Sequence, residues 1–163
     1  MAGSNIKMLQ TVATGLGDIK EKVIFVGGVV AELYADDSAA SEIRATQDVD
    51  CVIELTTRKM HAELEERLRS KKFANDISPG APICRWIYSG IKVDIMPTDE
   101  EVLGFSNRWY SAGFQTRITK ELPDGTQIFV LAPEYYLATK FEAHKSRGGN
   151  DLRQSHDCED IIY

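Results

Sequence analysis

Paired cysteines, long apolar runs, histidine clusters and an excess of basic charge are all missing from this chain, and each absence removes a class of protein. The three cysteines, Cys51, Cys84 and Cys158, are odd in number, far apart and never in a CxxC pair. That excludes a disulfide-dense miniprotein and reads as reduced thiols in a reducing compartment. No stretch approaches the ~20 apolar residues of a membrane span; the longest early run is Val23 to Val26 plus two glycines. The N-terminus has no basic region followed by an apolar signal core, so the expected location is the cytoplasm, with no membrane partner. Nineteen basic residues against 25 acidic ones give a net charge of −6, which opposes non-specific polyanion binding. Phosphates reach an acidic site only where divalent cations reverse the local sign.

What is present is an ordinary globular composition. Hydrophobic residues make up 43% and charged residues 27%, which excludes a disordered tail or a fibre. The 163 residues fit one domain, residues 1–163, able to bury roughly 70% of its unfolded surface without a disulfide or structural metal. There is no internal repeat, low-complexity tract or interdomain linker. The chain ends at Ile161-Ile162-Tyr163, inside an apolar pattern that has only begun, which points to a truncated domain lacking C-terminal helices or to a larger native protein.

Periodicity sets the order of elements. Ile6, Leu9, Val12 and Leu16 predict a helix over 6–20, and Lys22 to Val26 a strand that stops at Gly27-Gly28. Helical spacing resumes from Val29 to Tyr34, and Asp36 to Gln47 reads as a polar loop. Asp48 to Leu55 is a second strand. Thr57 sits at an N-cap, and a helix over 58–72 follows with Met60, Leu64 and Leu68 on its buried side. Ile83–Tyr88 and Ile91–Met96 form a hairpin around Ser89-Gly90. Thr98 and Glu101 match a capping box for a helix to about Arg108. Phe114–Leu122 and Thr126–Leu131 flank Pro123-Asp124-Gly125 as a second hairpin, and Pro133 opens a helix to about Arg147. Strands mixed with helices, several of them in hairpins, give an α/β (α+β) domain on a mixed β-sheet flanked by helices.

The chemistry lies in the acids. In a strand, residues i and i+2 share a face, so Asp48 and Asp50 lie roughly 6–7 Å apart and point one way. Val49, Cys51, Ile53 and Leu55 line the core-facing side. Two such carboxylates repel each other and cost desolvation, for which a bound cation is the usual compensation. Asp94 has the same setting, with Ile91, Val93 and Ile95 on the opposite face of its strand. If the two strands are neighbours, three hard oxygen ligands converge, a set suited to Mg²⁺ or Mn²⁺. Two ions ~3.5–4 Å apart stabilise both oxygens of an in-line displacement. The competing reading is a solvated strand end with Asp94 unrelated. At Gly27-Gly28 the backbone can approach a phosphate, with a helix end behind it; a bare structural turn is the alternative.

These pieces in this order resemble the DNA polymerase β-type nucleotidyltransferase superfamily. The match runs over about residues 22–96 through Gly27-Gly28, Asp48-Val49-Asp50 and Asp94. Arg44-Ala-Thr-Gln-Asp-Val-Asp50 and the tail are most similar to the minimal AbiEii-like branch. There Lys140 matches a helical lysine, and Asp157 and Asp160 match acids that follow it. The resemblance implies that Asp48 and Asp50 hold the metals and that Asp94 completes the site or acts as base. Lys140 would meet triphosphate charge, and Gly27-Gly28 would pack under the phosphates. It implies attack on the α-phosphate of an NTP, release of pyrophosphate, and a nucleotidyl group left on RNA or tRNA, a protein or a small molecule. Members of the branch often serve as toxins of toxin–antitoxin systems, which makes an antitoxin protein a partner. Two departures stand out: Gly28 replaces a frequent serine, and the segment from Gly28 to Asp48 is longer than the family's compact spacing.

Other residues have plainer alternatives. His144, one turn past Lys140, is an accessory phosphate contact or a solvated side chain. His61 reads as solvated, and His156 with Cys158 lacks a second ligand pair for zinc. Lys140, Lys145, Arg147 and Arg153 are a triphosphate or RNA rail, or charges complementing a helix end. Trp86, Tyr88, Trp109 and Tyr110 can stack a base or pack in the core. Beside the nucleotidyltransferase stand two other readings: a non-catalytic nucleotide- or protein-binding module of the same fold, and a two-metal phosphoesterase.

Overall fold

In a computed structural model, the chain is described over residues 4–34, 45–98 and 109–147, with side chains as far as residue 142. Helix α1 (Ser4–Leu16) buries the expected stripe of Ile6, Leu9, Val12 and Leu16. It ends earlier than the predicted 6–20 helix. Gly17 takes a φ of 56°, and the chain tightens into a 3₁₀ helix over Gly17–Lys22 that still buries Ile19. Strand β1 (Val23–Val26) follows with all four residues buried. The segment after it, Gly28–Tyr34, is a 3₁₀ helix rather than an α-helix.

The remaining elements are β2 (Asp48–Ile53), α2 (Arg58–Ser70), β3 (Ala74–Asn75), β4 (Arg85–Tyr88), β5 (Ile91–Pro97), α3 (Tyr110–Gln115), β6 (Ile118–Glu121), β7 (Gln127–Val130) and α4 (Pro133–Arg147). The strands form one sheet in the order β3-β4-β5-β2-β1-β7-β6. It is mixed: β2–β5 and β1–β7 are parallel, and the other neighbours are antiparallel. This is the mixed sheet flanked by helices that the element pattern predicts. The parallel β2–β5 pair requires a crossover, which α2, β3 and β4 supply. Beyond its first three residues β2 is buried without a break, as a central strand covered on both faces must be.

Thr57 caps α2 as expected, its Oγ1 accepting from the Met60 amide at 3.1 Å. Thr57→Ala should therefore lower stability by about 1 kcal/mol, measured by denaturant unfolding, with no change in the fold. Ser89 and Gly90 take φ values of 50° and 77°, the two positive angles of a tight type I′ turn.

Some expectations fail locally. Met60 is 39% exposed, so only Leu64 and Leu68 carry the buried face of α2. Ile83 is 71% exposed and precedes β4 rather than opening it. Phe114 belongs to α3, not to a strand: it lies four residues on from Tyr110 along one helical face, and β6 begins only at Ile118. The capping box at Thr98 and Glu101 and its helix lie largely outside the described residues. Among the described residues, no helix is long and apolar enough to cross a membrane.

Candidate active site

Alternation along β2 puts Val49 and Cys51 into the core and turns Asp48 and Asp50 to the other face. The parallel neighbour β5 lies in register, with Asp50 directly opposite Asp94 and Asp48 opposite Lys92. Three carboxylates thus meet at one place on the sheet: one oxygen from each of Asp48, Asp50 and Asp94 lies within 4.8 Å of the others. Asp94 is buried, whereas the Asp48 side chain is about a third exposed, so the cluster has a closed side and an open one. All its donors are hard oxygens. The buried thiol of Cys51 projects to the opposite face of β2, and among the described residues the cluster holds carboxylates alone. This donor set fits Mg²⁺ or Mn²⁺.

A cation already reaches into the cluster. Arg85, on β4, is register-paired with Asp94 across the hairpin. Its Nε donates to Asp94 Oδ1 at 2.8 Å and its Nη2 to Asp94 Oδ2 at 2.9 Å, a bidentate pair. The same Nη2 also lies 3.3 Å from Asp48 Oδ2. Hydrogen bonding to Asp94, aided by the charges of all three acids, raises the already high pKa of the guanidinium, which stays charged. The backbone at Arg85 is fixed as well: its amide donates to Pro82 O and its carbonyl accepts from the Asp76 amide. Counted over these four described side chains alone, three carboxylates and one guanidinium carry two formal negative charges.

Arg85 was not singled out from the sequence, although the signal was there. Counting outward from the Ser89-Gly90 turn pairs Tyr88 with Ile91, Ile87 with Lys92, Trp86 with Val93, and Arg85 with Asp94.

Gly27 also serves the acids. It sits at φ 76°, and a Cβ built there would fall on Asp50 Oδ2. The absent side chain is the space Asp50 occupies, a contact of glycine with acid where the sequence suggested glycine with phosphate. Gly28 is buried and begins the seven-residue 3₁₀ helix, in which the Val30 amide bonds to Gly27 O at 3.4 Å.

Helix α4 closes over this turn. Tyr136 donates to Gly27 O at 3.4 Å, its ring is 4.4 Å from that of Tyr34, and Tyr34 donates to Leu131 O at 2.7 Å. One turn further, Lys140 is only 7% exposed, with its Nζ 5.9 Å from the Tyr136 ring centroid, while its neighbour Phe141 is 55% exposed. The face of α4 turned inward is thus Tyr136, Thr139 and Lys140. His144 lies on the same helix, four residues on from Lys140; Asp157 and Asp160 lie outside the described residues.

The remaining candidates have structural work. Burial, with the Asp50 and Asp94 charges added, pushes the Cys51 thiol well up, and burial pushes Cys84 up to about 11, so both stay protonated at neutral pH. His61 pairs with Glu65 at 2.9 Å on the surface of α2. Trp86 is buried with the Arg69 guanidinium above it, and Tyr88 stacks on Phe73 at 4.4 Å. Neither ring is available as a platform for a base.

No family model matches the sequence, and no curated protein matches it. Among solved structures, the chain is similar to the crystal structure of an antigenic nucleotidyltransferase-like protein from Paracoccidioides brasiliensis. The two share 21% sequence identity at a TM-score of 0.66, over 99% of this chain and 76% of that one. The mixed seven-stranded sheet with its helices is thus a nucleotidyltransferase-like fold.

Proposed function

We propose that this nucleotidyltransferase-like fold carries a working site, a metal-dependent nucleotidyltransferase that moves an NMP group from an NTP to an acceptor. The observation that carries this reading is the convergence of Asp48, Asp50 and Asp94 from two parallel strands, beside the glycine turn that ends β1. Asp48 and Asp50 would hold Mg²⁺ or Mn²⁺, with Asp94 completing the set. The bound ion would supply charge neutralisation at the phosphates. The acceptor's hydroxyl would give up its proton to Asp94 acting as base, and its oxygen would form a new bond to the α-phosphorus as the bond to the bridging oxygen breaks and pyrophosphate leaves. Lys140, on the inward face of α4, would offer its ammonium to the triphosphate. Gly27 keeps Asp50 at its post. His144 and Asp157 are proposed as accessory groups.

The finer reading is a minimal AbiEii-like enzyme in the cytoplasm, acting on RNA or tRNA, a protein or a small molecule, with an antitoxin as partner. It rests on the sequence motifs around Arg44–Asp50 and Lys140. One observation favours a second reading, a non-catalytic nucleotide-binding module. Asp94 already has both oxygens engaged by Arg85, and Gly28 offers no hydroxyl to a phosphate.

The test is transfer of label from each α-labelled NTP, with Mg²⁺ or Mn²⁺, to total RNA and to a small-metabolite pool. Label should appear only with metal present, and not in the Asp48→Ala/Asp50→Ala double variant. Metal-dependent NTP binding without any labelled product would support the non-catalytic module instead.

A further inference from the structure

Arg85 is the one basic side chain seen inside the acid cluster among the described ion pairs, and it has a role that the transfer chemistry does not require. An orienting partner normally grips one ligand from behind and leaves its metal-facing side open. Arg85 does more than that. Its Nη2 stands between two of the three acids, 2.9 Å from Asp94 Oδ2 and 3.3 Å from Asp48 Oδ2, while Nε secures the second oxygen of Asp94. The Arg85 side chain is 17% exposed, and that of Asp94 is 11% exposed, so water screens this contact little. A divalent ion drawing on Asp48 Oδ2 and Asp94 Oδ2 would compete with Arg85 Nη2 for those two oxygens, and the two positive charges would repel each other there.

We propose that Arg85 is a built-in counter-cation: it holds the acids together in the metal-free protein, and it must withdraw from between Asp48 and Asp94 before a divalent ion can bind all three. The proposal rests on the reading of the three acids as a cation site. It makes Arg85 a positioning residue that sets the ion concentration at which the site loads. The rigid fork matters to this role, since a lysine in its place presents a single point charge and cannot span both carboxylates.

The experiment is a titration of the full chain with Mn²⁺ alone, following the signal of unbound Mn²⁺ by electron paramagnetic resonance. Arg85→Gln and Arg85→Lys are compared with the native sequence, and Asp48→Asn serves as the control for the site. Arg85→Gln should bind Mn²⁺ about tenfold more tightly or better, the low end of coupling between charges in contact. Arg85→Lys should fall between the two. Without metal, Arg85→Gln should melt below the native chain, and saturating Mn²⁺ should close that gap. Should Arg85→Gln fail to fold without metal, Arg85→Lys carries the comparison on its own. Equal or weaker Mn²⁺ affinity in the Arg85 variants overturns the counter-cation and leaves the metal site standing. Absence of Mn²⁺ binding in the native chain and in every variant overturns both together.

Discussion

If the site transfers nucleotides as proposed, Asp50→Asn should cut the rate by about 10²–10³, the scale of losing one preorganised electrostatic contact to the transition state, here through the ion Asp50 would hold, while the protein folds at least as stably as before. Asp50 is flanked by a strand on either side. It is paired with Val26 of β1 on one side and with Asp94 of β5 on the other, and Gly27 makes room for its carboxylate. Asparagine keeps that shape and loses only the charge. In the absence of metal the loss removes the repulsion that Asp50 meets from Asp48 and Asp94. Removing a like charge from a functional site commonly raises stability at the expense of activity. Initial rates at saturating Mg²⁺ and a melting curve in a chelator, taken on the same preparation, check both halves. Native rates in the variant would remove Asp50 from the ion's ligands.

Gly27→Ala should disturb both the turn it sits in and the acid it abuts. The position sits at φ 76°, where an L side chain costs roughly 1–2 kcal/mol, and the added Cβ meets Asp50 Oδ2. Either the turn or the acid has to shift. Displacing a reacting group by about 1 Å can cost 10² in rate, so transfer should fall by about tenfold to a hundredfold. Gly125→Ala is the matched control. That turn glycine sits at φ 88° with nothing within 4 Å of a built Cβ, so it carries the backbone strain alone. Gly27→Ala should lose more stability in denaturant than Gly125→Ala, and only Gly27→Ala should lose activity. Equal activity in the two would show that Asp50 does not depend on Gly27 for its place.

Much of the site was legible because it is local. Period-two alternation put Asp48 and Asp50 on one face and Val49 and Cys51 on the other, and the same rule isolated Asp94 on β5. That β2 and β5 are neighbours was not legible, since no local pattern says which strands pair across a crossover. Arg85 lay in between. Its partner could be counted from the turn, but its second contact, with Asp48, exists only once the two strands are joined. Helix α4 defeated hydropathy outright. By apolarity Leu137 and Phe141 should face inward, yet Tyr136, Thr139 and Lys140 do. The tilted ring contact of Tyr136 with Tyr34 and its reach to Gly27 O set the rotation of the helix, and both partners lie about a hundred residues away in sequence. Phe114 failed for the opposite reason, because a single aromatic beside a polar stretch suits a helix end as well as a strand start.

The hairpin that brings Arg85 to Asp94 bears on the order of events as the chain folds. Those two residues are nine apart in sequence, whereas Arg85 and Asp48 are 37 apart. A hairpin closes in roughly 1–10 μs, and contacts that need long loops to close come later. Asp94 is therefore neutralised by its own local partner before β2 arrives with two more negative charges. The strand carrying Asp48 and Asp50 docks against a surface already stripped of its strongest repulsion, and the acidic pocket assembles without waiting for an ion to nucleate it.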